Sequence, residues 1–322
     1  MRQIGRWMFG FAALVAAGLA ALSPASAQSW PNQRVTIVVP FGPGSVTDIL
    51  ARIFADEMGR RWNQQVVVEN RPGLAGTAAV AKASPDGYTL MVTSNGHTVA
   101  GLVTKEPPFD PVKDFAGITR LGSVPLFLIA HPDLPAKSLK EVIDYAKANP
   151  GKLNFSSPGL ASTTFIAGAQ FRRVAGVDIV HVPFRSAPDA VTAVIRGDAQ
   201  LYFAPVNLAR DQSQAGKVKA IAAATAMRIP ELPDTPTFTE AGLKFVYDSW
   251  FGVMTQAAVS QAIRDKISKD WADALKTPDI QNKLKAQFMI GVTDTPAAMD
   301  KIVRDETAQL TETFKAAGIA AQ

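Results

Sequence analysis

The chain has no cysteine and only three histidines in 322 residues. The first absence excludes disulfides, a thiol nucleophile, cysteine-ligated metal and lipid attachment at a cysteine. The second leaves His97, His131 and His181 too dispersed to read as a metal site. Catalytic signatures are missing too. Neither a G-x-S-x-G elbow nor an H-E-x-x-H motif occurs, and there is no aspartate-rich calcium loop. Carboxylates are plentiful, but Asp56, Glu57 and Glu141 fall on polar helix faces, where a solvated side chain is the default. Charge of one sign never accumulates. The 33 basic and 28 acidic residues are scattered and leave +5, a weak basis for a nucleic-acid partner.

What is present begins with a leader. Arg2 and Arg6 precede the apolar run "WMFGFAALVAAGLAAL", and "SPASAQ" places small residues at Ala25 and Ala27. This reads as residues 1–27, a signal peptide cleaved after Ala27; its apolar run is short of the ~20 residues that span a bilayer. The 295 residues that follow carry 31 basic and 28 acidic side chains, a net +3. Export without a lipid anchor predicts a protein free in the periplasm, where nucleic acid is not a partner.

Apolar runs bounded by turn signals then alternate with amphipathic stretches. "RVTIVVPF", "QVVVEN" and "DGYTLMVTS" read as parallel strands. The helix "VTDILARIFADEMGRRW" lies between the first two, its Ile49, Leu50, Ile53, Phe54 and Met58 recurring at helical spacing. The pattern restarts after "VKDFAGITRLGSVPLFLIAHPD" with "SLKEVIDYAKANP", where Ser138 and Glu141 form a capping box. The last helices cannot bury their apolar faces alone and should return to the first half. The expected fold is therefore α/β with two lobes, residues 28–127 plus 245–322 and an inserted 128–244. A ligand cleft should lie between them at the strand ends.

Two glycine loops carry the candidate chemistry. "PFGPGSVTD" lacks the lysine of a phosphate loop and the third glycine of a dinucleotide fingerprint. It leaves a helix start with Ser45 as cap, Asp48 three residues on, and Thr47 beside them, suited to a small carboxylate. "NFSSPGLASTT" repeats the theme with Ser156, Ser157, Gly159, Ser162 and Thr163, again without a basic side chain. Either loop alone also reads as an ordinary strand-to-helix turn; two of them, one per lobe, predict a ligand gripped from both sides. "TSNGHTVAG" adds Ser94, Asn95 and His97 at the end of the third strand. His97 reads either as a ligand contact or as a surface loop residue, whereas His131 and His181 read as structural.

These segments, taken in order with "VVVENRPGLAGTAAVAKASPDGYTLMV", "PPFDPVKDFAGIT", "HVPFRSAPDAVTAVIRGDAQ" and "DSWFGV", resemble the extracytoplasmic solute receptors of tripartite tricarboxylate transporters, the Bug proteins. The resemblance covers essentially all of the chain after the leader. It implies a type II-like periplasmic-binding-protein fold, a monomer that captures a small organic carboxylate and delivers it to the membrane subunits of such a transporter, with no cofactor and no catalysis. It also implies ligand contacts at Phe41, Gly42, Pro43, Gly44, Ser45, Thr47 and Asp48, at Ser94 to His97, at Ser156 to Thr163, and near Arg185, Ala204 and Pro205. The chain departs from the family twice: Gly44-Ser45 stands for the usual Gly-Gly, and Phe184-Arg185-Ser186 for the usual Tyr-Lys-Gly. Two other readings stay open: an exported hydrolase using a serine of the 156–163 loop, and a sensor domain that presents its ligand to a receptor kinase.

Overall fold

Runs of Val, Ile and Thr make the strands, as their β-branched side chains favour a pleated, half-buried surface. The computed structural model describes residues 30–160 and 162–316, so the expected leader lies outside the described residues. In it β1 (Val35–Val39), β2 (Val66–Asn70) and β3 (Thr89–Ser94) run parallel, linked by α1 (Val46–Trp62) and α2 (Leu74–Ala81). A short helix, α3 (Gly96–Ala100), follows β3 directly, and β4 (Phe115–Ser123) comes next. A second set starts with β5 (Leu126–Ala130) and continues through α4 (Leu139–Ala148), β6 (Leu153–Ser157), α5 (Thr163–Ala175), β7 (Ile179–Pro183) and α6 (Ala187–Arg196). It ends with β8 (Leu201–Pro205), α7 (Val206–Gln214) and β9 (Lys219–Ala223). The chain then supplies β10 (Trp250–Gln256), α8 (Gln261–Leu275), α9 (Pro278–Ala286), β11 (Ile290–Gly291) and α10 (Pro296–Ala316).

Two sheets result, ordered β11-β4-β10-β3-β1-β2 and β7-β6-β8-β5-β9. Strand β10 is the late arrival, inserted antiparallel between β3 and β4. The packing of α1 against α8 is centred on Phe54 and Trp271, whose rings stack 4.7 Å apart. The final helix, α10, lies on β4 but also reaches the second sheet's helix α5. Its Leu310 and Phe314 share a buried cluster with Phe155 and Phe165, and burial of each such side chain contributes about 1.5–3 kcal/mol.

Register decides which edges meet. Ser94, ending β3, pairs with Phe251, and Ser123, ending β4, pairs with Trp250. The loops after β1, β2 and β3 therefore share the edge at which β10 begins. In the second sheet Leu126, opening β5, pairs with Pro205, ending β8, and β6 runs parallel to both β7 and β8. Only Val124 and Pro125 separate β4 from β5. The two C-terminal edges consequently face each other across this crossing. A second crossing, residues 245–249, returns beside it, held by Val124 N–H to Ser249 O at 3.2 Å and by Tyr247 N–H to Ala224 O at 2.9 Å.

Candidate functional site

The first edge carries the loop from Phe41 to Ser45. Phe41 is half-buried against the core, while Pro43 and Gly44 are exposed. Gly44 adopts a φ of 80°, a left-handed value that glycine reaches without penalty. Ser45 caps α1, its Oγ accepting the Asp48 N–H at 3.2 Å. Asp48 itself does not face outward, a correction to its expected ligand contact. Its Oδ2 accepts Gly44 N–H at 2.9 Å and Arg52 Nε at 3.1 Å. Its Oδ1 accepts Asn70 Nδ2 at 2.9 Å and lies 3.0 Å from an Arg52 nitrogen. Burial pushes this carboxyl up, but Arg52, the Gly44 N–H and Asn70 outweigh it and hold it below the ordinary carboxylate range. The third position of a capping box turns back on its own loop, so Asp48 anchors the loop. The Asp48–Arg52 spacing of four was the signal for it.

The second edge repeats the device. Ser162 caps α5, its Oγ accepting Phe165 N–H at 3.2 Å and donating to Gly159 O at 2.7 Å. In both loops the serine satisfies the third helical N–H. The first two, on Val46 and Thr47 and on Thr163 and Thr164, lack intrahelical partners and donate to no acceptor among the described residues. Ser186 caps α6 in the same way, accepting Asp189 N–H at 3.2 Å; its "SAPD" box was legible but was not singled out in the sequence.

Four other candidates are tied into structure. Ser156 is buried and its Oγ donates to Ala190 O at 2.9 Å, which corrects its reading as a ligand contact. Ala204 is fully buried inside the β5–β8 ladder and offers no side chain, another correction; Pro205 ends that strand beside the crossing. Both readings of His97 are also overturned. The segment after Ser94 winds into α3 instead of a loop, which turns the imidazole inward to the Pro111 carbonyl, 2.9 Å from Nε2, with its edge against Phe115. Burial lowers its pKa to about 4, despite the Pro111 bond.

Asn95 is likewise buried, yet it remains next to the edge. Its Nδ2 donates to the Tyr247 phenol oxygen and, at 3.4 Å, to Glu306 Oε1. Ser94 accepts Gly96 N–H at 3.4 Å. Neither Tyr247 nor Glu306 was singled out in the sequence, because 152 and 211 positions separate them from Asn95.

Arg185 follows β7, the outer strand of its sheet, and is exposed with no ion pair among the described residues. With Phe184, Asp189 and Arg196 it lines a cavity of about 700 Å³ along α6.

One pairing was not expected at all. Ser157 Oγ lies 2.7 Å from His181 Nε2 and accepts Gly159 N–H at 3.1 Å. The imidazole is held between Phe155 and Phe165, and burial lowers its pKa to about 4. Ser157 is fully buried.

Known proteins frame this geometry. The family described as "Tripartite tricarboxylate transporter family receptor" matches residues 50–319. The protein BugT of Bordetella pertussis is 30% identical over 299 residues, 91% of each chain. Among solved structures, the periplasmic binding protein BugD is 30% identical, with a TM-score of 0.73, covering 91% of this chain and all of its own. A protein of R. palustris solved with adipate is 30% identical, with a TM-score of 0.75 over 91% of this chain and all of its own. A second one, MatC from Rhodopseudomonas palustris with bound malate, is 30% identical with a TM-score of 0.73 over 88% and 99%.

Proposed function

Because the chain belongs to the tripartite tricarboxylate transporter receptor family, we propose that it captures a small organic carboxylate between its two sheets and delivers it to the membrane subunits of such a transporter. The observation that carries this reading is the pair of serine-capped helix starts, α1 and α5, on the two facing edges. Each presents two free N–H groups and the positive end of a helix, and neither brings a charged side chain of its own to the ligand. Proteins 30% identical to this one hold adipate and malate, and their ligands fit that donor set.

The bodies that close are residues 28–127 with 245–322 and residues 128–244, moving about the crossings at 124–125 and 245–249. A ligand shifts this equilibrium only by its differential affinity for the closed state. The protein acts as a monomer in the periplasm, after cleavage behind Ala27.

The Ser157–His181 contact favours the hydrolase reading geometrically, but its chemistry favours binding. A general base works best with a pKa near the operating pH, and burial holds this imidazole far below it. A buried serine that already accepts the Gly159 N–H shapes the loop. Recovery of the bound acid unchanged after prolonged incubation is the expected result; its conversion would establish the hydrolase.

Binding should follow the carboxylate. A charge-assisted hydrogen bond contributes about 1.5–3 kcal/mol, so the methyl ester or amide of a bound acid should bind roughly 10- to 100-fold more weakly. A thermal-shift panel checks this. Stabilisation by neutral sugars, with organic acids inert, would reject the reading.

Arg185 sets how the far end of the ligand is met. Its planar guanidinium suits a second carboxylate, and it is free of ion pairs among the described residues. Arg185→Ala should weaken a dicarboxylate by about 10- to 100-fold, one charge-assisted contact, and barely change the matching monocarboxylate. Calorimetry with both ligands and both proteins completes the cycle. Equal losses would place Arg185 in closure or stability, and no loss would return it to the solvated surface.

A further inference from the structure

The crossing at 245–249 meets α10 and the end of β3 in one polar cluster, buried at Asn95, Tyr247 and Trp250 and half-buried at Glu306. Glu306 turns its carboxylate inward, where Oε2 accepts Trp250 Nε1 at 2.7 Å and Oε1 accepts Asn95 Nδ2 at 3.4 Å. Asn95 Nδ2 also bonds the Tyr247 phenol oxygen, and Asn95 N–H donates to Trp250 O at 3.2 Å. One carboxylate thus joins the junction of β3 and α3, the crossing segment and the last helix.

The cluster is incomplete in an informative way. Asn95 Oδ1 is buried and has no partner among the described residues. A buried acceptor left without a donor costs roughly 1–3 kcal/mol. A carboxyl that carries a proton is a donor as well as an acceptor. With Glu306 protonated, the Asn95 amide can turn over so that Oδ1 accepts from the carboxyl and from Tyr247, with Nδ2 then taking the unpartnered place.

The surrounding charges do not neutralise Glu306. On the crossing, Tyr247 stays protonated, its phenol raised by burial, and Asp248 adds negative charge nearby while pairing with Arg120. Arg120, on β4, also binds Asp294. On α3, His97 is turned away to Pro111. On α8, Arg264 pairs with Asp300, Lys266 with Asp270 and Lys269 with Asp273. The α5 arginines, Arg172 and Arg173, lie in its last turn, Arg172 paired with Asp178. On α10 itself Lys301 pairs with Asp305. Burial, opposed by the Trp250 and Asn95 bonds, pushes the Glu306 carboxyl up to about 7.

We propose that Glu306 is a proton-linked positioning residue, taking up a proton as an organic carboxylate settles at the edge formed by Asn95 and the helix starts. The inference rests on the receptor reading above. A ligand carboxylate arriving next to this cluster repels an ionised Glu306, and like charges favour the neutral form of the side chain. By linkage, a group that protonates on binding makes affinity fall as pH rises through its titration range, by at most about tenfold per pH unit.

Calorimetry with malate and with adipate tests it, run near about pH 7.5 in two buffers of different ionisation enthalpy so that proton uptake is read directly. The expected result is uptake of a few tenths of a proton per ligand, with affinity several-fold weaker at about pH 8.5 than at about pH 6.5. Glu306→Gln keeps an acceptor for Trp250, and should abolish the uptake and flatten the pH profile while binding at least as tightly at the higher pH. Tight binding without proton uptake in the wild type overturns the proposal by itself, whether or not the variant folds. So does a variant that retains the wild-type uptake. If neither these acids nor any other organic acid in the panel binds at either pH, the receptor reading falls and this inference falls with it.

Discussion

Replacing Asp48 by alanine is expected to destabilise the protein by about 3 kcal/mol and to weaken carboxylate binding at least ~10-fold. Its side chain is only 4% exposed and collects Gly44, Asn70 and Arg52 around one carboxylate. Removing it takes the acceptor from the Gly44 N–H and leaves Asn70 Nδ2 with Phe41 O alone, so the loop from Phe41 to Ser45 loses most of what fixes it. Asp48→Asn keeps the shape but not the charge, so an intermediate loss is expected. The penalty also has a pH signature. The pKa of Asp48 lies below that of the unfolded chain, so its contribution is present above the ordinary carboxylate range and is lost as pH falls through the lowered value. The gap between wild type and Asp48→Ala should therefore close in acid. Denaturant midpoints and calorimetry decide it; a loss under about 1 kcal/mol with unchanged binding would remove Asp48 from its role as anchor.

Gly159→Val should abolish ligand-induced stabilisation while leaving a cooperative fold. Gly159 holds a φ of 119°, where a Cβ would meet nothing within 4 Å. The obstacle is therefore the backbone itself, as valine is excluded from this region, and forcing it there costs about 1–3 kcal/mol. The loop relieves that strain by moving, and much depends on its staying put. Gly159 donates to Ser157 Oγ, and its carbonyl takes both the Ser162 hydroxyl and the Ser162 N–H. A displaced carbonyl undoes the cap that leaves the α5 N–H groups free for ligand. Gly216→Val is the control. It has a φ of 67° and equally open surroundings, but follows the C-terminal end of α7, away from the facing edges. It should lose stability and keep binding. Equal binding losses in both variants would mean that global destabilisation, not the loop, is being measured.

Much of the fold was legible because its signals are local. The alternation of apolar strands with amphipathic helices is written at periods of two and about 3.6 residues, and the caps at Ser45, Ser138 and Ser162 bond N–H groups three residues on. The same locality misled at "TSNGHTVAG". Its glycine and polar residues read as a loop, yet they wind into α3 because Phe109 and Phe115 supply an apolar surface for His97 to cover.

By itself the sequence determined the α/β alternation, the two glycine-bearing helix starts and the absence of a basic side chain from their loops, since each depends on residues within a turn or two of one another. Tertiary structure alone decided which of the hydroxyls remain available. Ser156 was drawn to Ala190 across 34 positions, Ser157 to His181 across 24, and Glu306 to Trp250 and Asn95 across 56 and 211. No spacing encodes such partners. They are chosen when a polar group, removed from water by packing, must find whichever donor or acceptor the folded chain has brought beside it.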